Sequence, residues 1–377
     1  MSDNLSFVLK KVDTVAFEQR PIPDIGSHDV LVEVKKTGIC GSDVHYLVHG
    51  RIGKYVLESG KDMVLGHESS GIIAKVGQLV SHLKPGDRVA IEPGATCRTC
   101  GTCKEGRYEL CPNIRFAATP PFDGTLGRYY AVPSDLVYPL PSELSLEDGA
   151  MIEPLSVAVH AVVRLGNFRT NQSIAVFGCG PVGLLCMAVA KAFGASRIIA
   201  IDIIPHRLEF AKSYAATDAF LPPPLEQGET NVKFSERAAA AMKAVLDIAE
   251  QGARGIDLVV DASGAEVSIQ TGIRIVKSGG TYIQVGMGRP EVTINIDIVL
   301  SKQLIMKGSF RYGAGDYPLA ISLVAQGKVD LRPLVSHRFP FQDALLAFET
   351  TRHGKGSDGK GVIKTIISGP DVKVDEL

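Results

Sequence analysis

Cys97, Cys100, Cys103 and Cys111 follow the spacing Cys-x2-Cys-x2-Cys-x7-Cys, on a stretch that also carries Gly101, Lys104, Gly106 and Arg107. Thiolates so spaced converge easily, and four of them form the closed tetrahedral site of a structural zinc ion. Disulfides are the competing chemistry. The N-terminal Met1-Ser2-Asp3-Asn4 has no basic region followed by an apolar one, so the expectation is a cytoplasmic protein with reduced thiols, which favours zinc. A nucleic-acid zinc ribbon would need a basic surface that this stretch lacks. Cys179 and Cys186 lie in apolar sequence and read as packing residues.

A second polar set precedes the four cysteines: Cys40-Gly41-Ser42-Asp43-Val44-His45-Tyr46, then Leu65-Gly66-His67-Glu68-Ser69. A thiolate, an imidazole and a carboxylate suit a catalytic zinc, because three protein ligands leave a fourth position for water or substrate. Spacing alone leaves another reading open, in which Cys40 is a small buried hydrophobe and His67 a satisfied core histidine.

The third set is Gly178-Cys179-Gly180-Pro181-Val182-Gly183. The apolar run Ile174–Phe177 before it, the helical spacing of Val182–Phe193 after it, the stop at Gly194 and the second apolar run Ile198–Ile201 predict strand, tight turn, helix, strand. In that frame Gly178 permits the turn, Gly180 lets backbone approach a pyrophosphate, and Gly183 lets helix and strand pack closely. Pro181 and Val182 open the helix, whose positive end faces the phosphates. Asp202, about 20 residues beyond Gly183, stands where a carboxylate accepts the adenosine ribose hydroxyls and repels a 2′-phosphate, which favours NAD.

These sets must be positioned by elements. With 377 residues the chain is long enough for two domains, and 45% hydrophobic with 21% charged residues is ordinary globular composition. A formal net charge of −1 gives no footprint for nucleic acid or an acidic membrane surface, and no uninterrupted apolar stretch of about 18 residues predicts a membrane span. Short β-rich runs at Phe7–Leu9, Val30–Val34, Ile72–Val76 and Arg88–Ile91 predict a mostly β first domain. After Asp202 the alternation continues: helix Pro205–Ala215, strand Ala219–Leu221, helix Phe234–Gln251, strand Ile256–Asp261, helix Val267–Val276, strands Thr281–Val285 and Leu304–Lys307. The expected fold is α/β, a Rossmann doubly wound parallel sheet over residues 159–307 plus a mostly β domain over 1–158, completed by 308–377. Tyr317–Ala325 reads as a helix and Val362–Ile367 as a last β run. The Pro222–Glu229 and His353–Gly361 stretches read as surface loops, the second flexible, and Val374-Asp375-Glu376-Leu377 as a solvated tail rather than a retention signal.

In this order, Gly66-His67-Glu68, the four cysteines and the glycine-rich turn resemble the zinc-dependent medium-chain dehydrogenases, from about Phe7 to Ile367. The first domain would then be GroES-like, with the tail packed back onto it. The polyol dehydrogenases are the most similar branch, and the fungal xylitol dehydrogenases in particular. The residues that carry this are Thr37–Tyr46, Gly66–Gly71, Glu153–Ala158, Phe116–Pro121 and Gly308–Tyr317. The resemblance implies that Cys40 and His67 bind a catalytic zinc, with Glu68 and Glu153 as ligands or one water removed. With the Cys97, Cys100, Cys103 and Cys111 site this makes two zinc ions per subunit. It implies Ser42 and Tyr46 as a proton path, with His45 a less certain participant. Arg311 and Tyr312 would contact the outer polyol hydroxyls, Phe116 and Thr119 would line the substrate, and Arg207 would join the NAD-binding residues. The activity implied is NAD-dependent oxidation of a polyol, xylitol first, then sorbitol or L-arabinitol, by a homo-oligomer, a tetramer or dimer. A non-catalytic dinucleotide sensor would have lost the zinc ligands, and a simple alcohol dehydrogenase carries cysteine where Glu153 stands.

Overall fold

The computed structural model describes residues 3–375, so Met1 and Ser2 of the polar N-terminus and Glu376 and Leu377 of the tail lie outside the described residues. The chain divides into two compact units. One runs up to Glu153 and resumes at Gly313; the other is Pro154–Tyr312. Among the described residues, no helix is long and apolar enough to cross a membrane.

The first unit is built on a seven-stranded sheet. Its order is Val137–Pro139, Arg88–Ile91, Glu68–Val76, Asp29–Gly38, Lys364–Ser368, Val335–Phe339, and Tyr129–Pro133 also pairs with Asp29–Gly38. In Asp29–Gly38 the β-branched Val30, Val32 and Val34 alternate onto one face and pack against Ile73, Val89, Ile91 and Val137. A second core gathers Phe7, Leu9, Leu47, Met63, Phe341, Phe348 and Ile367. Each such side chain contributes about 1.5–3 kcal/mol when fully buried. Within the sheet, Gly38 lies between Glu68 on one neighbouring strand and Ile366 on the other. Lys364–Ser368 is thereby paired into the sheet that carries Glu68, the residue after His67.

Two helices of this region escape the periodicity reading. Gly41–His49 is short; Cys40 caps it, Asp43 closes a capping box, and Gly50 ends it at φ 65°. Leu146–Val159 is buried on nearly every face, so it shows no amphipathic stripe.

The second unit carries six parallel strands in the order Asp218–Phe220, Arg197–Ile201, Ser173–Phe177, Ile256–Asp261, Val276–Gln284, Ile305–Gly308. The chain order reverses between Ser173–Phe177 and Ile256–Asp261, the switch point at which open α/β sheets bind ligands. The predicted helix Phe234–Gln251 is instead Asn231–Val245. The Thr230 hydroxyl starts it by accepting from Lys233 N–H, and the chain leaves helical geometry by Asp247, at φ 51°. The surface loop before it is tied down by Arg237, which donates to Glu229 and to the Pro224 carbonyl. In the first unit, the Gly354–Gly361 loop is closed by a Lys355–Gly361 bridge.

At the glycine-rich turn, Gly178 takes φ 92°, and a Cβ at Gly183 would stand 1.9 Å from the Gly178 carbonyl oxygen. Gly183→Ala must therefore push the Pro181–Ala192 helix off the strand at a cost of about 1–3 kcal/mol. The expected result is a lower urea midpoint together with weakened NADH binding; a variant with both unchanged would show that the close packing is dispensable.

Candidate active site

Cys40, His67 and Glu68 come together, their ligand atoms all within 4.8 Å of one another. Asp43 organises them. Its carboxylate accepts from Cys40 N–H at 3.1 Å and from Gly66 N–H at 3.0 Å, and lies 3.3 Å from His67 Nδ1. A carboxylate that holds the Nδ1 proton leaves Nε2 to a metal. Burial opposes charge on both partners, yet their mutual attraction outweighs it: Asp43 is held below the ordinary carboxylate value and His67 well above the ordinary imidazole value.

Glu68 has a partner that the sequence reading missed. Lys364 Nζ donates to Glu68 Oε1 at 2.7 Å, also to Oε2, and to the Ile39 carbonyl at 3.0 Å. Burial works against the ammonium, but the charges of Glu68, Cys40 and Glu153 raise its pKa above the ordinary lysine value. Gly38 leaves the room this requires, since a Cβ there would stand 2.3 Å from Glu68 Oε2. Glu153 is buried and outside the three-residue set, although its charge reaches Lys364.

The Gly41–His49 helix places Ser42 half-buried, Tyr46 in the Phe7–Leu47 core, and His45 on the surface with Nδ1 2.8 Å from the Arg51 carbonyl. The Phe116 ring lies 5.7 Å from that of His67, and Thr119 N–H donates to the Phe116 carbonyl. In the second unit, Arg311 takes φ 59° and lays its guanidinium 4.6 Å from the centre of the Phe310 ring, while Tyr312 is buried.

Cys97, Cys100, Cys103 and Cys111 form the other set, again with ligand atoms within 4.8 Å of one another. Cys111 Sγ lies 3.5 Å from Cys97 Sγ and 3.9 Å from Cys100 Sγ, and none of the four is in a disulfide. A tetrahedral zinc with Zn–S of about 2.3 Å sets its sulfurs about 3.8 Å apart, so the four thiols fit that ion. Backbone N–H groups of Thr99 and Cys100 pull the Cys97 thiol down to about 6, toward the thiolate a metal needs.

This loop is anchored by a buried acid. Glu92 accepts from Tyr108, inside the cysteine loop, at 2.6 Å and from Tyr138, on a sheet strand, at 2.8 Å. Burial pushes its carboxyl up to about 7, with help from Asp316 and Asp135, against the two tyrosine hydrogen bonds.

The residues predicted to bind a dinucleotide sit at the switch point. Gly180 caps the Pro181–Ala192 helix, Pro181 is its first residue, and Val182 and Gly183 follow in the first turn, whose N–H groups have no intrahelical acceptor. Asp202 accepts from Cys179 N–H at 2.8 Å and Ile204 N–H at 2.9 Å. The intervening Ile203 is 79% exposed, and Arg207 lies half-buried on the next helix with its charge felt at Cys179.

Two variants test these arrangements. Because the Glu92 carboxyl has a folded pKa above its unfolded value, the stability it contributes is complete below about 4.5 and is lost as pH rises through about 7. The urea midpoint of Glu92→Gln is expected to fall less than that of the wild type between pH 5 and pH 8; parallel profiles would remove Glu92 from the pH response. Lys364→Met leaves the Glu68 carboxylate buried without its cation, which costs about 3–5 kcal/mol. Denaturant unfolding is expected to show that loss, and a change below about 1 kcal/mol would mean that the pair is not a structural tie.

Two family models match the chain. One is the alcohol dehydrogenase GroES-like domain over residues 26–142; the other is the zinc-binding dehydrogenase over residues 181–326. D-xylulose reductase A of Aspergillus niger is 53% identical over 372 residues, 98% of each chain. Among solved structures, L-idonate 5-dehydrogenase of Escherichia coli superposes with a TM-score of 0.83 at 28% identity, over 97% of this chain and 98% of that one. A zinc-binding dehydrogenase of Sinorhizobium meliloti bound to NADP superposes at 0.81 with 26% identity, over 98% and 100%. Zinc and a nicotinamide dinucleotide are the cofactors these comparisons support, and the chain belongs to the zinc-dependent medium-chain dehydrogenases, in the polyol dehydrogenase branch.

Proposed function

We propose that this chain oxidises xylitol to D-xylulose with NAD, using one catalytic and one structural zinc per subunit. The observation that carries the substrate is the 53% identity to D-xylulose reductase A across 98% of both chains. NAD rather than NADP follows from Asp202, whose carboxylate would repel a 2′-phosphate. The structural zinc is supported by the sulfur spacing of the cysteine loop. We assign the protein to the cytoplasm, where such thiols stay reduced.

When bound, the zinc supplies Lewis acidity at the hydroxyl being oxidised and the nicotinamide is the hydride acceptor. Cys40, His67 and Glu68 would hold the metal, with Glu153 binding it directly or through water. Asp43 keeps the proton on His67 Nδ1 and so presents Nε2. Lys364 fixes Glu68 and offsets part of the negative charge around it. Ser42 Oγ takes the substrate proton and passes it outward. Tyr46 stands one helical turn from Ser42 on the same side of the helix, and the exposed His45, its Nδ1 turned to the Arg51 carbonyl, has Nε2 for a solvent proton. Phe116 and Thr119 line the substrate, Arg311 and Tyr312 donate to the outer hydroxyls, and Arg207 assists cofactor binding.

We also propose a homo-oligomer, a dimer or tetramer. The parallel sheet ends on Ile305–Gly308; Ile305 in that edge strand is 49% exposed, and Ile296 and Leu300 on the Ile296–Ser301 helix before it are 63% and 78% exposed. An edge strand beside exposed apolar side chains invites a second copy.

The test is NADH formation by the purified protein on xylitol, sorbitol and L-arabinitol, each with NAD and NADP, before and after chelation. The expected outcome is chelator-sensitive, NAD-dependent turnover that is greatest on xylitol. Greatest turnover on sorbitol or L-arabinitol would overturn the substrate, and preference for NADP would overturn the role of Asp202.

A further inference from the structure

Beside the switch point, the Rossmann unit carries an acid that the proposed mechanism does not use. Asp261 ends the Ile256–Asp261 strand with 0% exposure. Its Oδ1 accepts from Ser263 N–H at 2.7 Å, Ser263 Oγ–H at 2.7 Å and Gly264 N–H at 3.0 Å. Its Oδ2 faces the Gln284 amide at 3.2 Å and the Tyr282 hydroxyl at 3.4 Å. Every one of these partners is neutral. Burying a carboxylate without a cation is costly unless its lone pairs are filled, and here they are filled by the loop that follows it and by the neighbouring strand.

The Asp261 network joins two loops. Gln284 passes the connection on, because its amide also donates to the Gly286 carbonyl at 2.8 Å while its oxygen accepts from Tyr282 at 2.7 Å. The Asp261 carbonyl itself accepts from Val285 and Gly286 N–H. The Ala262–Ala265 and Val285–Gly288 loops therefore leave the carboxyl ends of adjacent parallel strands as one piece. Their backbones touch: a Cβ at Gly286 would stand 2.4 Å from Gly264 N, and one at Gly288 would stand 1.8 Å from Gly264 O. The first loop also abuts the glycine-rich turn, since Ala262 N–H donates to the Phe177 carbonyl and a Cβ on Gly178 would meet Ser263 N at 3.1 Å.

Asp202 lies on one side of the Ser173–Phe177 strand and directs the adenosine half of a dinucleotide to that side. The other half must then cross the switch point toward the Ile256–Asp261 strand and the loops beyond it. We infer that Asp261, acting through Ser263, Gly264 and Gln284, is a positioning residue for the nicotinamide half of the cofactor, holding both loops in the shape that receives it. The inference rests on the dinucleotide reading given above. Asp261 does not touch the cofactor; it fixes backbone that does.

Asp261→Asn keeps the shape and removes one acceptor. If the remaining oxygen stays with the Ser263 and Gly264 N–H groups, the new amide meets the Gln284 amide donor to donor, and Gln284 must turn away from Gly286. Gln284→Leu breaks the same connection while leaving Asp261 and its own loop intact. NADH dissociation constants, measured by fluorescence titration of the purified zinc-loaded protein, are expected to rise at least tenfold in Asp261→Asn and at least threefold in Gln284→Leu. The KM for NAD should rise with them, while the KM for xylitol at saturating NAD stays within twofold of wild type. Should Asp261→Asn fail to fold, Gln284→Leu carries the test. NADH binding within twofold of wild type in each folded variant would overturn the inference, as would an equal rise in both KM values, which would point to a general structural fault. A wild-type protein that binds no NADH would overturn the cofactor reading itself, and the inference with it.

Discussion

The ion pair between Lys364 and Glu68, each side chain 2% exposed, is the constraint on which the first unit depends. Taking an ammonium and a carboxylate out of water costs several kcal/mol for each ion, and their attraction repays this only in good geometry with the remaining bonds satisfied. Lys364 meets that condition with both Glu68 oxygens and the Ile39 carbonyl. The consequence is topological. A residue near the end of the chain must lie against one in its first fifth, so Lys364–Ser368 pairs with Asp29–Gly38, and the segment from Gly313 onward belongs to the unit formed by the N-terminal residues. Gly38 is the permissive element, because any side chain there would occupy the space of the Glu68 carboxylate.

The same pair sets the electrostatics of the metal-binding set. Glu68 and Asp43 are buried carboxylates, the first paired with Lys364 and the second with His67, whose pKa that attraction raises. Asp43 spreads its charge over two backbone N–H groups and His67, which ties the Cys40 cap of one helix to the Gly66-His67 turn. Ligands from two segments thus hold their spacing by hydrogen bonding, with Asp43 as the shared acceptor.

What was legible in the sequence was local. The cysteine loop and the glycine-rich turn each place their chemistry within a few residues, so spacing carries the geometry, and the sulfur distances and the Gly178–Gly183 close approach agree with it. The six parallel strands were also readable, since the buried central ones appear as short apolar runs between helices. Cys40 and His67 were not decisive by spacing, because 26 residues of intervening chain can bring them together or leave each in a separate core. Lys364 was invisible: its partner is 296 residues away, and nothing near it in sequence distinguishes it from a surface lysine. Helix Leu146–Val159 gave no stripe because both faces are buried, and Asn231–Val245 stopped earlier than its alanine-rich run suggested because local backbone geometry at Asp247 ends it.

Asp202 and Asp261 show why residue type alone could not separate ligand-reading acids from wall-building ones. Each stands at the carboxyl end of a parallel strand next to Ser173–Phe177, one on either side; Asp202 accepts from Ile204 N–H in the turn that follows it and from Cys179 N–H in the glycine-rich turn, and Asp261 from Ser263 and Gly264 N–H in the turn that follows it. Asp202 makes these two bonds beside the exposed Ile203 and keeps further lone pairs, which the proposed reading gives to ribose hydroxyls. Asp261 is wholly enclosed and spends its acceptor capacity on Ser263, Gly264 and Gln284. On the side of Asp261 the neighbouring strand Val276–Gln284 presents Tyr282 and Gln284 to it, whereas the strand beyond Arg197–Ile201, Asp218–Phe220, has three residues. Two acids that look alike in sequence thereby differ in what surrounds them, and that difference is the basis for proposing that Asp202 meets the ligand and Asp261 shapes the backbone around it.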